Sequence, residues 1–463
     1  MKDLRENWSS NLGFVLAATG SAIGLGNLWK FPFITWKNDG GAFVLIYLVC
    51  IIAVGLPIMM AELLVGRKTQ KSAVGAMRET IGPSWGWVGT WGVMAGFVIL
   101  SYYAVVAGWS IFYLFQTLQW SVSGFPTQAN MGGLFADLAA NGTMQTALSG
   151  TFMFLTVGVV YFGVASGIEK TARLCLPALF VILLLLLFSS FFSMEGSGEA
   201  LAFLFRPNFS ELDSAAVLEA LGHSFFTLSL GMGTMIVYGS YVARNRSIVN
   251  AAGSIVVLDT VIAIIASIIM FSVIFTVPGM PEQVDGSAVG MLFISLPQLF
   301  YEVVPFGVVL APAFYLLVAL AALTSTISLL EVVVSYFIDQ RKMERSRATL
   351  LSGACIYVFT FLSGMSFGAS TWLSSFELFE GKAGFFATLD HFASNWALPL
   401  GGLLITLGVG WFMSSKDTEA ELVATGSPRW FSYKAWLFSV RFIAPAAVAA
   451  ILIAVIFLGK DFS

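Results

Sequence analysis

Asn27, Thr227, Asp259, Thr324 and Ser325 are oxygen donors set inside stretches that are otherwise apolar. Amide, hydroxyl, carboxylate and carbonyl oxygens are the ligands a small hard cation such as sodium takes. The run Thr324-Ser325-Thr326, beside Ala321 and Ala322, forms a compact oxygen-rich face. Ser and Thr in helices also bond back to their own backbone, so that run taken alone reads either way. No His/Cys cluster suggests zinc, and no phosphate-binding glycine loop follows a strand. No nucleophile–base set stands out, so an enzyme is the weakest reading and no organic cofactor is expected.

Two interrupted apolar segments must position these groups. The first carries Gly20-Ser21-Ala22-Ile23-Gly24-Leu25-Gly26-Asn27 at its middle. A helix spanning a bilayer needs about 20 apolar residues and an unbroken hydrogen-bond ladder, and each interior glycine costs about 1 kcal/mol relative to alanine. Broken backbone at membrane depth survives only where it is buried in protein or lines a cavity. The glycines do not share one helical face, and Asn27 adds a polar side chain, which favours an opened helix over small-residue packing. A second break, Phe225-Phe226-Thr227-Leu228-Ser229-Leu230-Gly231-Met232-Gly233, lies at the corresponding place in the second half of the chain. Paired breaks of this kind point to the binding site of a secondary transporter.

Other ionisable groups inside spans are functional suspects by default. Glu62 reads best as a cap for loosened backbone of an opened helix. Glu331 is either a helix-packing acid or a functional one. His223 reads as a satisfied core histidine, and Asp390 and His391 as interfacial residues.

The chain has 463 residues, 58% hydrophobic and 11% charged, against about 25% charged in a soluble domain. It is a polytopic all-α membrane protein. Net charge is −3, which gives nucleic acid no basic footprint. No cleavable signal is visible, and Cys50, Cys175 and Cys355 lie in apolar stretches that argue for packing. Eleven spans are predicted: 11–36, 41–65, 87–120, 149–166, 172–193, 217–241, 248–277, 305–338, 347–364, 390–413 and 433–458. Seventeen of the 23 basic residues fall at the N-terminus and in every second loop. The positive-inside rule then predicts a plasma-membrane protein with a cytoplasmic N-terminus and an outside C-terminus. An amphipathic piece from Gly290 to Tyr301 is placed to fold back as a lid. Spans one to five (about 11–193) and six to ten (about 217–413) are expected to form two inverted halves of a single domain, 1–463, with an extra helix at about 433–458. No residue pattern sets an oligomeric state.

The runs GSAIGLGNLWKFP (20–32), NDGGAF (38–43), GLPIMMAELLVGR (55–67), FFTLSLGMG (225–233), YGSYV (238–242) and ALTSTIS (322–328), with Arg5 and Trp8, resemble the neurotransmitter:sodium symporter family, in its bacterial amino-acid branch. The resemblance implies a LeuT-type 5+5 inverted repeat with discontinuous helices 1 and 6, plus an eleventh helix. It implies two sodium ions. The first would be held by the carbonyls of Ala22 and Thr227 and the side chains of Asn27, Thr227 and Asp259. The second would be held by the carbonyls of Gly20, Ile23 and Ala321 and the hydroxyls of Thr324 and Ser325. An amino-acid substrate would set its carboxylate on the first sodium, the amides of Leu25 and Gly26 beside Gly24, and the Tyr103 hydroxyl. Its ammonium would meet the carbonyls of Ala22, Phe226 and Thr227 and the Ser229 hydroxyl. Ile99, Phe226, Met232, Ser325 and Leu329 would line its side-chain pocket. Tyr103 and Phe226 would form a lid, Lys30 and Asp390 an outer charged gate, and Arg5 with Asp339, above Trp8 and Tyr241, the cytoplasmic gate.

Three departures from the family pattern matter. A twelfth span is missing. Asp259 stands where many members have asparagine. Position 24 is glycine, where monoamine carriers have an aspartate, and this argues for free amino acids. Animal members need chloride, bound near the places of Tyr47, His223 and Thr227; some bacterial members carry a glutamate at the place of Ala263 instead. Asp259, one turn before Ala263, is expected to supply that charge here. The resulting expectation is sodium-coupled, chloride-independent import of hydrophobic or aromatic amino acids. A proton-coupled carrier using Asp259, Glu331 or His223, and a sensor or channel of the same fold, are the rivals.

Overall fold

The computed structural model describes residues 6–126, 130–210, 212–276, 288–302, 304–423, 426 and 428–461. It is built from helices, with no strand among the described residues. Among the described residues, nine continuous helices are long and apolar enough to cross a membrane: Gly41–Thr69, Pro83–Ser123, Gly142–Tyr161, Val164–Phe192, Ile248–Thr276, Gly307–Arg341, Arg345–Met365, Phe385–Phe412 and Tyr433–Leu458. The first span is a bent pair, Asn11–Ala22 and Gly26–Lys37, at 52°. The sixth is two half-helices, Ser214–Thr227 and Thr234–Ser240.

Local chemistry sets these boundaries. Ser10 caps the first span, its Oγ accepting the Gly13 amide at 2.9 Å, and Asp213 caps the sixth by accepting the Ala216 amide at 2.8 Å. Between the half-helices of span six the backbone enters the left-handed region at Ser229 (φ 54°), Gly231 (φ 79°) and Gly233 (φ 77°). A Cβ on Gly231 would lie 2.3 Å from the Leu398 carbonyl oxygen, so this turn requires glycine both for its φ and for its close approach to span ten. The freed Gly231 amide donates to Glu62 Oε1 at 2.8 Å, which is the capping role expected of Glu62.

Spans four and five begin earlier than predicted. Asn141 starts span four at Gly142, with its Oδ1 accepting the Met144 amide at 3.0 Å. Gly163 (φ 89°) then reverses the chain, and span five starts at Val164, not at 172. The expected limits followed hydropathy and missed the cap and the turn.

Spans three, four, eight and nine pack on one another as a block, with span eight running along span three. Span one lies against spans five, seven and eight. The half-helix Ser214–Thr227 packs on the Gly41–Cys50 end of span two, and Thr234–Ser240 packs on its Leu56–Thr69 end. The broken sixth span therefore runs the length of span two. The segment from Gly290 to Glu302 does fold back: Phe293 meets Trp29, Trp109 and Tyr113 at ring distances of 6.2, 5.7 and 5.1 Å. Tyr315 secures it by donating its hydroxyl to the Leu292 carbonyl at 2.7 Å. Cys50 and Cys175 are buried and Cys355 is exposed, all as free thiols.

Candidate functional site

The two breaks face each other, and the predicted oxygen donors gather around them. Asp259 of span seven, inaccessible to solvent, receives Asn27 Nδ2 at 2.7 Å on Oδ1. It receives Thr227 Oγ1 at 3.0 and 3.2 Å on its two oxygens. Tyr47 donates to its Oδ2 at 3.5 Å, and the Asn27 side-chain carbonyl accepts the Gly24 amide at 3.1 Å. One carboxylate, one amide and a threonine hydroxyl, all fully buried, make a compact hard-oxygen cluster suited to a small dehydrated cation.

A second group lies between spans one and eight. Ser325 Oγ approaches the Ser21 and Ile23 carbonyls at 3.4 and 3.5 Å, and Thr324 Oγ1 donates to the Ala321 carbonyl at 3.0 Å. Gly20 lets these helices meet: a Cβ there would stand 3.0 Å from Thr324 Cβ. The expected three-hydroxyl face is corrected to two, because Thr326 turns to span four and pairs with Thr156 Oγ1 at 2.8 Å.

Between these groups is a cavity of about 30 Å³ lined by Ser21, Ala22, Gly24, Gly26, Ile99, Tyr103, Phe226, Thr227, Ser229, Met232, Ser325, Ser328 and Leu329. It brings together every predicted substrate-pocket residue except Leu25. Leu25 lines the neighbouring larger cavity, while its amide donates to the Tyr103 hydroxyl at 2.9 Å. A Cβ at Gly24 would fall 2.6 Å from Ser325 Oγ and 2.7 Å from the Tyr103 hydroxyl, so a side chain at that position would have to displace both hydroxyls.

Tyr103 and Phe226 line both this cavity and a 480 Å³ cavity on the side of Lys30, Asp390 and Phe386. The two rings are thus the partition between them. Lys30 Nζ sits 5.0 Å over the Phe226 ring, and Asp390 accepts Ser394 Oγ at 3.3 Å. At the opposite end, Trp8 is buried against Tyr238 and Tyr241, at ring distances of 5.2 and 6.0 Å, and donates its indole N–H to the Tyr238 carbonyl at 3.0 Å. Asp339 lines the 840 Å³ cavity there and accepts the Ser72 amide. Arg5 lies outside the described residues.

Several residues here escaped the sequence reading. Ser21 and Ser328 line the small cavity; Ser21 sits within the first glycine run, and Ser328 is one turn from Ser325, which was a usable signal. Arg345 caps the seal at the Trp8 end. Its guanidinium donates to both oxygens of buried Glu331 at 2.8 and 3.0 Å and to Glu6 at 2.9 Å. Tyr241 donates to the same Glu331 at 2.5 Å. Glu331 is therefore part of an ion-paired closure. Asp461, after the last helix, reaches the rim of the 480 Å³ cavity, held by Lys382 and Asn395. His223 departs from expectation: it is buried, stacked on Phe31 at 5.5 Å and tilted against Tyr47 at 5.7 Å, with no hydrogen-bond partner on either ring nitrogen among the described residues.

Comparison with known proteins agrees with this geometry. The model of the Sodium:neurotransmitter symporter family matches residues 5–125 and 125–461. An uncharacterized sodium-dependent transporter of Bacillus subtilis (strain 168), YhdH, is 36% identical over 95% of each chain. Another uncharacterized sodium-dependent transporter, from Methanocaldococcus jannaschii, is 30% identical over 90% of this chain and 84% of its own. Among solved structures, the crystal structure of MhsT in complex with L-phenylalanine superposes with a TM-score of 0.87 at 40% identity, covering 97% of this chain and 100% of that one.

Proposed function

The chain belongs to the Sodium:neurotransmitter symporter family and is a multi-pass, sodium-dependent symporter, not an enzyme; from that premise we propose that it imports hydrophobic or aromatic amino acids by alternating access. The observation that carries this reading is the cavity between the two broken spans, apolar at Ile99, Phe226, Met232 and Leu329, with backbone and hydroxyl groups at Ala22, Gly24 and Ser229. A zwitterion sets its charged ends on exposed backbone and its side chain among the apolar residues. Gly24 brings no acidic side chain of its own to the site, so the substrate carboxylate would join Asp259 as negative charge beside the first sodium. The bound phenylalanine of MhsT supports the same substrate class.

Two co-transported sodium ions fit the two oxygen groups. The Asp259, Asn27 and Thr227 side chains, with the carbonyls of Ala22 and Thr227, would hold one. Thr324, Ser325 and the carbonyls of Gly20, Ile23 and Ala321 would hold the other. The substrate carboxylate completes the first shell, so sodium and substrate affinities rise together. Each charge crossing 100 mV contributes about 2.3 kcal/mol, so two ions sustain about a thousandfold accumulation before any concentration gradient is counted.

In this reading the two halves, about 11–193 and 217–413, are inverted repeats with an extra helix at 433–458. The Trp8 end faces the cytoplasm and the Asp390 end faces outward, in the plasma membrane. Tyr103, Phe226, Lys30 and Asp390 gate the outer side, and Trp8, Tyr241, Asp339 and Arg5 the inner. Spans three, four, eight and nine are the scaffold against which the broken spans rock. The test is uptake of labelled leucine, phenylalanine, tyrosine and tryptophan into proteoliposomes, with sodium or choline outside at fixed pH. Saturable uptake that requires sodium is expected. Uptake driven equally well in choline by a proton gradient, or a strong preference for glycine, proline or acidic amino acids, would overturn the reading.

A further inference from the structure

Three hydroxyls from three spans meet at one wall of the small cavity. Ser229 Oγ donates to the Ser21 carbonyl at 2.9 Å, Ser21 Oγ donates to Ser328 Oγ at 2.7 Å, and Ser328 Oγ donates to the Ser325 carbonyl at 2.8 Å. All three serines are buried and all line the cavity. A serine hydroxyl has one hydrogen to donate and two lone pairs to accept with. Here each hydrogen is committed inside the wall. Among the described residues no group donates to Ser21 Oγ, whereas Ser328 Oγ receives the Ser21 hydroxyl and also bonds the Tyr238 side chain. The spare capacity of the wall toward an occupant is therefore acceptor capacity. Around it stand Ile99, Met232 and Leu329, which offer a ring only apolar contact.

We propose that Ser21, its own hydrogen held by Ser328, is the acceptor of a specificity subsite for a side-chain hydrogen-bond donor, the phenol of tyrosine or the indole N–H of tryptophan. The inference rests on the aromatic amino-acid reading above and adds a discrimination within that class. A site whose buried polar atoms are matched by a substrate donor disfavours the analogue lacking it, because the acceptors are then left unpaired. Tyrosine and phenylalanine share their ammonium and carboxylate, so contacts of those groups, including that of Ser229 with the ammonium, cancel in their ratio.

The experiment measures dissociation constants in saturating sodium for L-tyrosine, L-phenylalanine, L-tryptophan and 1-methyl-L-tryptophan, whose ring nitrogen has no hydrogen. The native protein is expected to favour tyrosine over phenylalanine and tryptophan over its methyl derivative. In Ser328→Ala, and separately in Ser21→Ala, each preference should fall by about three- to tenfold, the worth of one net hydrogen bond. Because each preference is a ratio within one protein, a general loss of affinity in a variant does not mimic the effect. Native ratios near one, or ratios unchanged in both variants while the ligands still bind, would overturn the subsite and leave the substrate class standing. Failure of all four to bind the native protein would remove the aromatic reading and the subsite with it.

Discussion

Residue by residue, the candidate site uses small groups whose value lies in where their oxygens point. Ser325 faces span one, while its neighbour Thr326 faces span four. Thr324→Ala combined with Ser325→Ala should therefore abolish sodium-dependent substrate binding in a protein that still folds, since alanine offers a dehydrated ion no replacement oxygen. Binding of labelled substrate against sodium concentration checks this, and normal sodium dependence would refute the assignment. Met232 occupies the turn between Gly231 and Gly233 and closes the small cavity. Its unbranched thioether can swing to make room where a rigid ring cannot. Met232→Phe should weaken aromatic substrates more than leucine, by about 1–3 kcal/mol. Equal losses for leucine and tryptophan in competition assays would count against that role.

At the scale of elements, the two broken spans are held open by groups outside them. Span six turns at Gly231 because Glu62 of span two takes its amide and Leu398 of span ten leaves no space for a Cβ. Gly231→Ala should cost about 1–3 kcal/mol from the left-handed backbone alone, with the carbonyl clash in addition. A thermal unfolding temperature equal to that of the native protein would show that the turn relaxes freely. The seal at the Trp8 end joins three spans through one buried acid: Glu331 of span eight accepts from Tyr241 and from Arg345. Removing one member of a buried ion pair strands the other. Glu331→Ala should lower stability by about 3–5 kcal/mol and make a cysteine placed at Ser335, in the adjoining cavity, react faster with a polar thiol reagent. Labelling at the native rate would mean that the seal is carried by Trp8 and the aromatic stack alone.

For the whole molecule, the central quantity is coupling between ions and substrate, and Asp259 bears on it most. It is fully buried where Asn27, Thr227 and Tyr47 converge. On the proposed reading, a carboxylate there would supply the negative charge that a chloride ion would otherwise bring near sodium. Native uptake should persist when chloride is replaced by gluconate. Asp259→Asn should lower sodium affinity and acquire a chloride requirement. Native transport that stops without chloride would overturn this role.

Much of this protein was legible in the chain itself. Among the described residues, nine continuous spans and the bent first one follow from apolar length, and the two breaks follow from glycines and polar residues where a lipid-exposed ladder cannot be left open. The residue types that gather at the breaks were readable because hard oxygens are rare in such stretches, and Glu62 was readable as a cap because a buried acid needs amides to accept from. Direction and partnership were decided only by the tertiary structure. Thr324, Ser325 and Thr326 are chemically alike, yet helix rotation sends two toward span one and one toward span four. The Ser21–Ser328 bond joins residues 307 positions apart, and Arg345 finds Glu331 only because the chain reverses between spans eight and nine. Span four starts at Gly142 because Asn141 caps it, a choice that hydropathy does not register. Composition sets what a stretch can bury, whereas packing sets which atom each polar group meets.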